Sequence, residues 1–319
     1  MKGKTFIKFF LIFLVLFTLI LIPTVKAVSN INLFEKHDVK SIEEEMGVLV
    51  DSNSPFFEAF TKSKRMNMLM LGINKNMTDV IMLVTWDMDH NKVSVISIPR
   101  DTYYEREGYH GASLKINAIY GSKHDIVGVA NAVSNTLCGI PINYYAIVDY
   151  DSVKTIVDGI GGVPIDVPKA LTYDDPYDTP PLHIRIPAGE QVLDGEHAVQ
   201  YLRFRKGYAN GDIGRIDAQQ KFIKSAFKQA IDNGIIDSAK LITSNVESDL
   251  TVGAAAKYAL SAIGLSGDSI NTYMVPGHED HSTGPSYWMT DQTAIEEMLA
   301  EIYQVQEEAP EEGAASDSE

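Results

Sequence analysis

The sequence predicts an α/β fold, an αβα sandwich around a mixed central sheet, and three observations carry that prediction. Three short apolar runs follow one another from residue 66: M-N-M-L-M-L-G-I, D-V-I-M-L-V-T-W and K-V-S-V-I-S-I. Runs this apolar suit central strands covered on both faces. Further on, segments of helical spacing alternate with strand-like ones, so helices and sheet intermingle. Finally, a chain of 319 residues with 45% apolar residues can bury a sizeable core, in one large domain or two small ones.

Taken in order, Lys2, Lys4 and Lys8 precede a fourteen-residue stretch, Phe9 to Ile22, apolar but for Thr18, and seventeen uncharged residues separate Lys8 from Lys26. Lysines at the ends of such a stretch can snorkel. Residues 1–28 are therefore expected to form a membrane anchor, or a signal segment cleaved after V-K-A. Either way the rest of the chain lies outside the cytoplasm, because the lysines stay inside. The expected location is the cell membrane, single-pass, with the C-terminal domain extracytoplasmic.

Residues 29–64 read as a stalk or a short leading helix, and the folded domain is expected over 65–304. D-M-D-H-N-K joins the second and third strands as a hairpin loop. Lys115 to Leu137 has helical spacing, I-N-Y-Y-A-I-V-D reads as a strand, and Tyr150 to Val157 as a helix. G-I-G-G-V-P-I-D-V-P lacks the G-x-x-x-x-G-K-[ST] pattern of a phosphate loop and reads as a turn into a strand. From Ile213 to Ile231, residues Ile216, Ile223, Phe227 and Ala230 line one helical face, and Gly234 closes the helix. Helices are also expected over 251–264 and 290–304. The acidic tail, 305–319, is expected to be disordered.

Composition excludes some functions. The formal net charge is −16, which argues against nucleic-acid binding, since that runs on basic patches. Cys138 stands alone, so no intrachain disulfide forms, and its apolar surroundings in sequence read as a buried thiol. S-A-F-K at 225–228 has no matching S-D-N or K-T-G, so a serine hydrolase is not supported. H-E-D-H at 278–281 lacks the spacing of H-E-x-x-H and reads as a polar loop.

Against this acidic background, Y-L-R-F-R-K-G-Y-A-N-G-D-I-G-R-I-D-A-Q-Q holds three of the chain's seven arginines. If 201–205 is a strand, Leu202 and Phe204 face the core. Arg203 and Arg205 then share the other face, roughly 6 to 7 Å apart. Arg215 and Gln219 follow at i and i+4 near a helix start. Such a cluster suits a concentrated anion, since guanidinium binds phosphate bidentately and stays charged. Surface ion pairs with nearby acids are the plain alternative. Asp79, at the start of a strand, supplies a carboxylate able to hold Mg²⁺, and Arg100 follows a proline at the end of another strand.

Several motifs occur in order: L-G-I-N…T-D-V-I-M-L-V-T, V-S-V-I-S-I-P-R-D-T-Y, K-I-N-A, P-I-N-Y-Y-A-I-V-D-Y, G-G-V-P-I-D-V-P, L-D-G-E-H-A-V-Q-Y-L-R-F-R and G-D-I-G-R-I-D-A-Q-Q. Together they resemble the LytR-CpsA-Psr family of bacterial cell-wall proteins, strongly over residues 66–232 and more loosely to 303. The resemblance implies a membrane-anchored protein, typically of Gram-positive bacteria. It would bind a polyprenyl-pyrophosphate-linked glycan and transfer the phosphoglycan to a peptidoglycan hydroxyl with Mg²⁺. Carried over by motif, Arg100, Arg203, Arg205, Arg215 and Gln219 would hold the pyrophosphate. Asp79 would bind Mg²⁺ or help activate the acceptor, and Asn74 would be a weaker metal ligand. The sheet and helices would enclose the lipid.

Two positions depart from the family pattern: Asn74 stands for an aspartate, and Met77 for an arginine. Lys75 restores some charge but not bidentate geometry. These departures raise a second reading, a protein that binds polyprenyl pyrophosphate without turnover and regulates or scaffolds wall assembly.

Overall fold

The computed structural model describes residues 52–305, apart from 122, 179–180, 206, 209–210, 251–257, 259–260, 263 and 283. The expected anchor and tail lie outside the described residues, as does most of the helix expected over 251–264.

Six strands form a mixed sheet in the order β10-β3-β2-β1-β4-β9. They are β1 (Arg65–Asn74), β2 (Met77–Asp87), β3 (Lys92–Ser97), β4 (Tyr144–Val148), β9 (Glu247–Ser248) and β10 (Ile270–Met274). β1 pairs antiparallel with β2 and parallel with β4, while β10 runs parallel to β3. The three apolar runs are thus adjacent central strands. Leu69, Leu71, Ile81, Leu83 and Ile96 face one core, and Met82, Trp86, Val93 and Val95 face another, as period-2 side-chain alternation requires.

On the first face lie α1 (Phe57–Lys62), α2 (Ile126–Thr136) and α7 (Gln292–Tyr303). Phe60 packs edge-on against Tyr303 with ring centroids 4.9 Å apart, so the short leading helix belongs to the core. The opposite face carries α5 (Gly211–Asp232), through Ile223, Phe227 and Ile231. Beside it, α3 (Tyr150–Gly159), α4 (Gly195–Arg203) and α6 (Ile235–Asn245) pack with two hairpin-like pairs. One pair is β5 (Val163–Val167) with β8 (Gly189–Leu193), the other β6 (Leu171–Asp175) with β7 (Leu182–Ile186). A last pair, β11 (Gly277–Asp280) and β12 (Tyr287–Thr290), precedes α7.

Three sequence expectations are corrected. Lys115–Leu137 is not one helix: a 3₁₀ turn at Ile116–Ala118 is followed by positive-φ residues Gly121 and His124. α2 starts only after Asp125, whose carboxylate accepts from the Gly128 N–H. The segment 201–203 ends α4 and is no strand. Asp194 caps that helix through the His197 N–H, and Ala198, Val199 and Tyr201 bury one face at helical spacing. The alternation in Y-L-R-F-R belongs to a helix end followed by an extended Phe204. His278 to Asp280 lie in β11 rather than a loop.

α3 and α4 cross at Gly195, where an added Cβ would sit 2.5 Å from the Lys154 carbonyl oxygen and 2.6 Å from its Cα. Gly195→Ala is therefore expected to lose about 1–3 kcal/mol by overpacking and to displace the helix that ends in Arg203. Urea unfolding checks this, and an unchanged midpoint would refute it.

Candidate functional site

The β1–β2 hairpin builds the first half of the site. Gly72 pairs with Val80 and Ile73 with Thr78, so Asp79 is an extra residue in β2. A bulge of this kind re-aims the side chain it carries. Asn74 pairs with Met77, and Lys75 takes φ 59 in the tight turn between them. Asp79 then accepts two hydrogen bonds, Oδ1 from Arg100 Nη1 at 2.7 Å and Oδ2 from Asn74 Nδ2 at 3.0 Å.

Arg100 comes from the turn after β3, where Pro99 ends the strand. The K-I-N-A motif braces both partners. The Asn117 N–H donates to the Arg100 carbonyl at 3.2 Å, and the Thr78 hydroxyl donates to the Asn117 carbonyl at 3.4 Å. Asp101, next in sequence, pairs instead with Lys115 at 3.0 Å.

α4 and α5 build the other half. Arg203 is the last residue of α4 and Arg205 follows one extended step later, so both reach the same space without a strand between them. Phe204, between them, is buried and holds that step in the core. Arg203 pairs with Asp178 from the β6–β7 connection. Arg215 and Gln219, 5% and 4% exposed, share a face of α5. Arg215 Nη2 donates to the Asp79 carbonyl at 3.4 Å. Gln219 Nε2 donates to the Leu202 carbonyl at 3.3 Å and so ties α4 to α5.

These elements enclose a cavity of about 340 Å³ at the carboxyl ends of β1 and β4. That volume and place suit a ligand site of an open α/β sheet. Asn74, Asp79, Arg100, Arg203, Arg205, Arg215 and Gln219 all line it. Every residue chosen from the sequence therefore converges on one place. The floor is apolar, with Met70, Met82, Val153, Leu182, Phe222 and Ile223. A group with a compact anionic head and an apolar tail matches both halves.

The donor set bears on a metal. Each Asp79 carboxylate oxygen keeps a lone pair beyond its present bond, and Asn74 adds an amide. Among the described residues no group of three His, Cys, Asp or Glu side chains is placed to cage an ion. The residues fit Mg²⁺ that arrives with phosphate oxygens and water as its other ligands.

Among the lining residues that the sequence did not single out are Tyr150 and Asp178. Asp178 sits in a connection of no regular pattern. Tyr150 did carry a signal, since D-Y follows a strand and opens a helix, the point in α/β sheets where ligands gather. Burial pushes the Tyr150 phenol above its usual pKa, Asp79 adds to that, and Arg203 and Arg215 pull it back. Cys138 is half-buried at φ 57. Burial raises its thiol pKa despite a hydrogen bond from Gln292.

Comparison with known proteins shows the family and the fold. The LytR_cpsA_psr family model matches residues 27–304. The chain is 32% identical over 257 residues to TagV of Bacillus subtilis (strain 168), named a polyisoprenyl-teichoic acid–peptidoglycan teichoic acid transferase, covering 74% of this chain and 63% of that protein. It is 32% identical over 209 residues to TagU of Bacillus anthracis, of the same named activity, covering 63% of this chain and 65% of the relative. The chain thus spans less than two thirds of these relatives' length. The crystal structure of B. subtilis TagV superposes with a TM-score of 0.62 at 28% identity, over 76% of this chain and 99% of that one. TagT bound to LI-WTA shares the fold, with a TM-score of 0.60 at 21% identity over 76% and 91% of the two chains.

Proposed function

The chain belongs to the LytR_cpsA_psr family, and on that premise we propose that it transfers a phosphoglycan from a polyprenyl-pyrophosphate carrier to a peptidoglycan hydroxyl outside the cytoplasm. One observation carries the reading: the bulged Asp79 with Arg100 faces Arg203, Arg205 and Arg215 across a cavity whose floor is apolar. A pyrophosphate uses the arginines and a polyprenyl chain uses the floor. The partners are the lipid-linked glycan, the peptidoglycan acceptor and the cytoplasmic membrane, with no nucleic acid. The expected place is the cell membrane, anchored by residues 1–28.

In this reading the acceptor hydroxyl oxygen attacks the glycan-side phosphorus, the P–O–P bridge breaks, and polyprenyl phosphate leaves, the hydroxyl proton passing overall to that leaving phosphate. Arg203, Arg205 and Arg215 bind the pyrophosphate oxygens and stabilise charge as it moves to the leaving phosphate. Asp79 orients Arg100 through Oδ1, and Gln219 keeps the α4 end, with Arg203, against α5. Mg²⁺, held by Asp79 with Asn74 beside it, would add charge neutralisation at the phosphate oxygens when bound. Positioning of the two reactants supplies much of the remaining rate.

A non-catalytic polyprenyl-pyrophosphate-binding regulator or scaffold is the second reading. It is favoured by Asn74, which gives Asp79 a neutral donor where the family pattern has a second carboxylate.

The test incubates the full chain with a polyprenyl-pyrophosphoryl sugar, a peptidoglycan oligosaccharide and Mg²⁺, and reads products by mass spectrometry. A phosphodiester-linked product supports transfer, whereas bound lipid without product supports the second reading. Asn74→Asp is expected to lower the Mg²⁺ concentration for half-maximal turnover by roughly tenfold, a coupling of about 1.4 kcal/mol. Unchanged Mg²⁺ dependence would remove Asn74 from the metal's surroundings.

A further inference from the structure

We propose that Tyr150 is a further ligand-binding residue of the cavity, its phenol donating a hydrogen bond to an anionic oxygen of the bound pyrophosphate and its ring positioning Arg203. The inference rests on the reading above that the ligand is a pyrophosphate.

Tyr150 opens α3 directly after β4 and lines the cavity with all four of its arginines. The Arg203 guanidinium carbon stands 4.8 Å from the centre of the Tyr150 ring. A cation over an aromatic face at that distance is attracted to it, so the ring holds Arg203 on one side while Asp178 holds it on another. Arg203 is thereby fixed between two groups of different kinds. A phosphate oxygen can displace the carboxylate and leave the ring contact intact.

The hydroxyl is the part left over. Asp79, Asp178, Arg203 and Arg215 all lie within electrostatic reach of the phenol. Tyr150 is half-buried and lines the cavity, where its hydroxyl can meet a ligand. A half-buried tyrosine joins an apolar ring to a polar tip that takes a hydrogen bond where an acceptor is offered. An anionic oxygen held in the same cavity by Arg203 and Arg215 would be such an acceptor.

The chemistry selects donation over proton abstraction. Burial and Asp79 push the phenol above its ordinary range, so it stays protonated at neutral pH and cannot act as a base. A neutral donor aimed at an anion also adds no charge to a cavity already holding four arginines. It therefore contributes binding without increasing their mutual repulsion.

The test compares the full chain with Tyr150→Phe and Tyr150→Leu in calorimetric titrations with inorganic pyrophosphate. Phenylalanine keeps the ring under Arg203 and removes only the donor. Its Kd is expected to rise about ten- to a hundredfold, the worth of one hydrogen bond to a charged group. Leucine, which also removes the ring, is expected to lose more. The near-ultraviolet tyrosine difference signal on adding pyrophosphate should be clearly smaller in Tyr150→Phe than in the native chain, with Tyr173 of the same cavity left to report. Equal affinity of Tyr150→Phe and the native chain, or an undiminished signal in the variant, overturns the assignment while leaving the transferase reading intact. If the native chain fails to bind pyrophosphate at all, the anion-site reading falls and this inference with it.

Discussion

Replacing Arg203 and Arg205 together with alanine is expected to weaken capture of a polyprenyl-pyrophosphate ligand by roughly two to four powers of ten. Each charge-assisted bond contributes about 1.5–3 kcal/mol, and two such losses multiply in the binding constant. The change also uncovers an opposing charge. Asp178, now paired with Arg203, would be left facing the incoming phosphate and would repel it. Transfer should fall with binding, because the same guanidinium groups meet the charge that develops on the leaving phosphate.

The comparison variant is Arg185→Ala on β7. That arginine is exposed and bonded to Asp174, outside the cavity, so binding and turnover should stay within about twofold of the native chain, as for most exposed ion pairs. Mass-spectrometric detection of bound lipid and of product reads both variants. Native-level lipid capture by the double variant would remove the arginine cluster from the mechanism.

The second large effect concerns stability. Asp87, at the end of β2, accepts from Arg65 at 2.7 Å and from the His90 ring at 2.9 Å, and both members of the Arg65–Asp87 pair are more than nine-tenths buried. Arg65 also donates to the Ile302 carbonyl at 2.8 Å and lies 4.3 Å from the Tyr303 ring centre. This pair therefore fastens α7 to the edge of the hairpin. Asp87→Ala would leave the guanidinium buried without its counter-charge, at a cost of about 3–5 kcal/mol.

The same carboxyl gives stability an acid limb. Burial alone would raise its pKa, but hydrogen bonds from the His90 side chain and backbone, with the charge of Arg65, together hold it below the ordinary carboxylate range. A carboxyl lowered on folding adds stability above its unfolded pKa of about 3.9, and that stability disappears as pH falls through the lowered folded value. Urea midpoints measured from neutral pH downward should show the native chain losing stability there. The alanine variant starts lower and lacks this share of the decline. A variant with the native midpoint at neutral pH would contradict the assignment.

Much of the fold was legible in the sequence because burial leaves a periodic trace. The runs at 66–73, 79–86 and 92–98 became adjacent central strands, and Ile223 and Phe227 do pack α5 onto the sheet. The longest misreading, 115–137, fell where Gly121 and His124 break the backbone with positive φ, which apolar spacing does not record. At 201–205 a five-residue alternation outweighed the helical spacing that begins at Asp194, since the window was too short to tell the two periods apart.

By itself the sequence determined which residues carry charge, which faces are apolar, and that arginines gather in an acidic chain; ordered motifs then tied them to Asp79 and Arg100. Only the tertiary structure decided how those residues meet. Asp79 faces the cavity because the β1–β2 register slips by one residue at Gly72 and Ile73. Arg203 and Arg205 arrive there from a helix end rather than a strand. Tyr150 joins them from a helix start and Asp178 from the β6–β7 connection. Register and long-range pairing depend on contacts between segments far apart in the chain, whereas periodicity reports only the buried side of each segment taken alone.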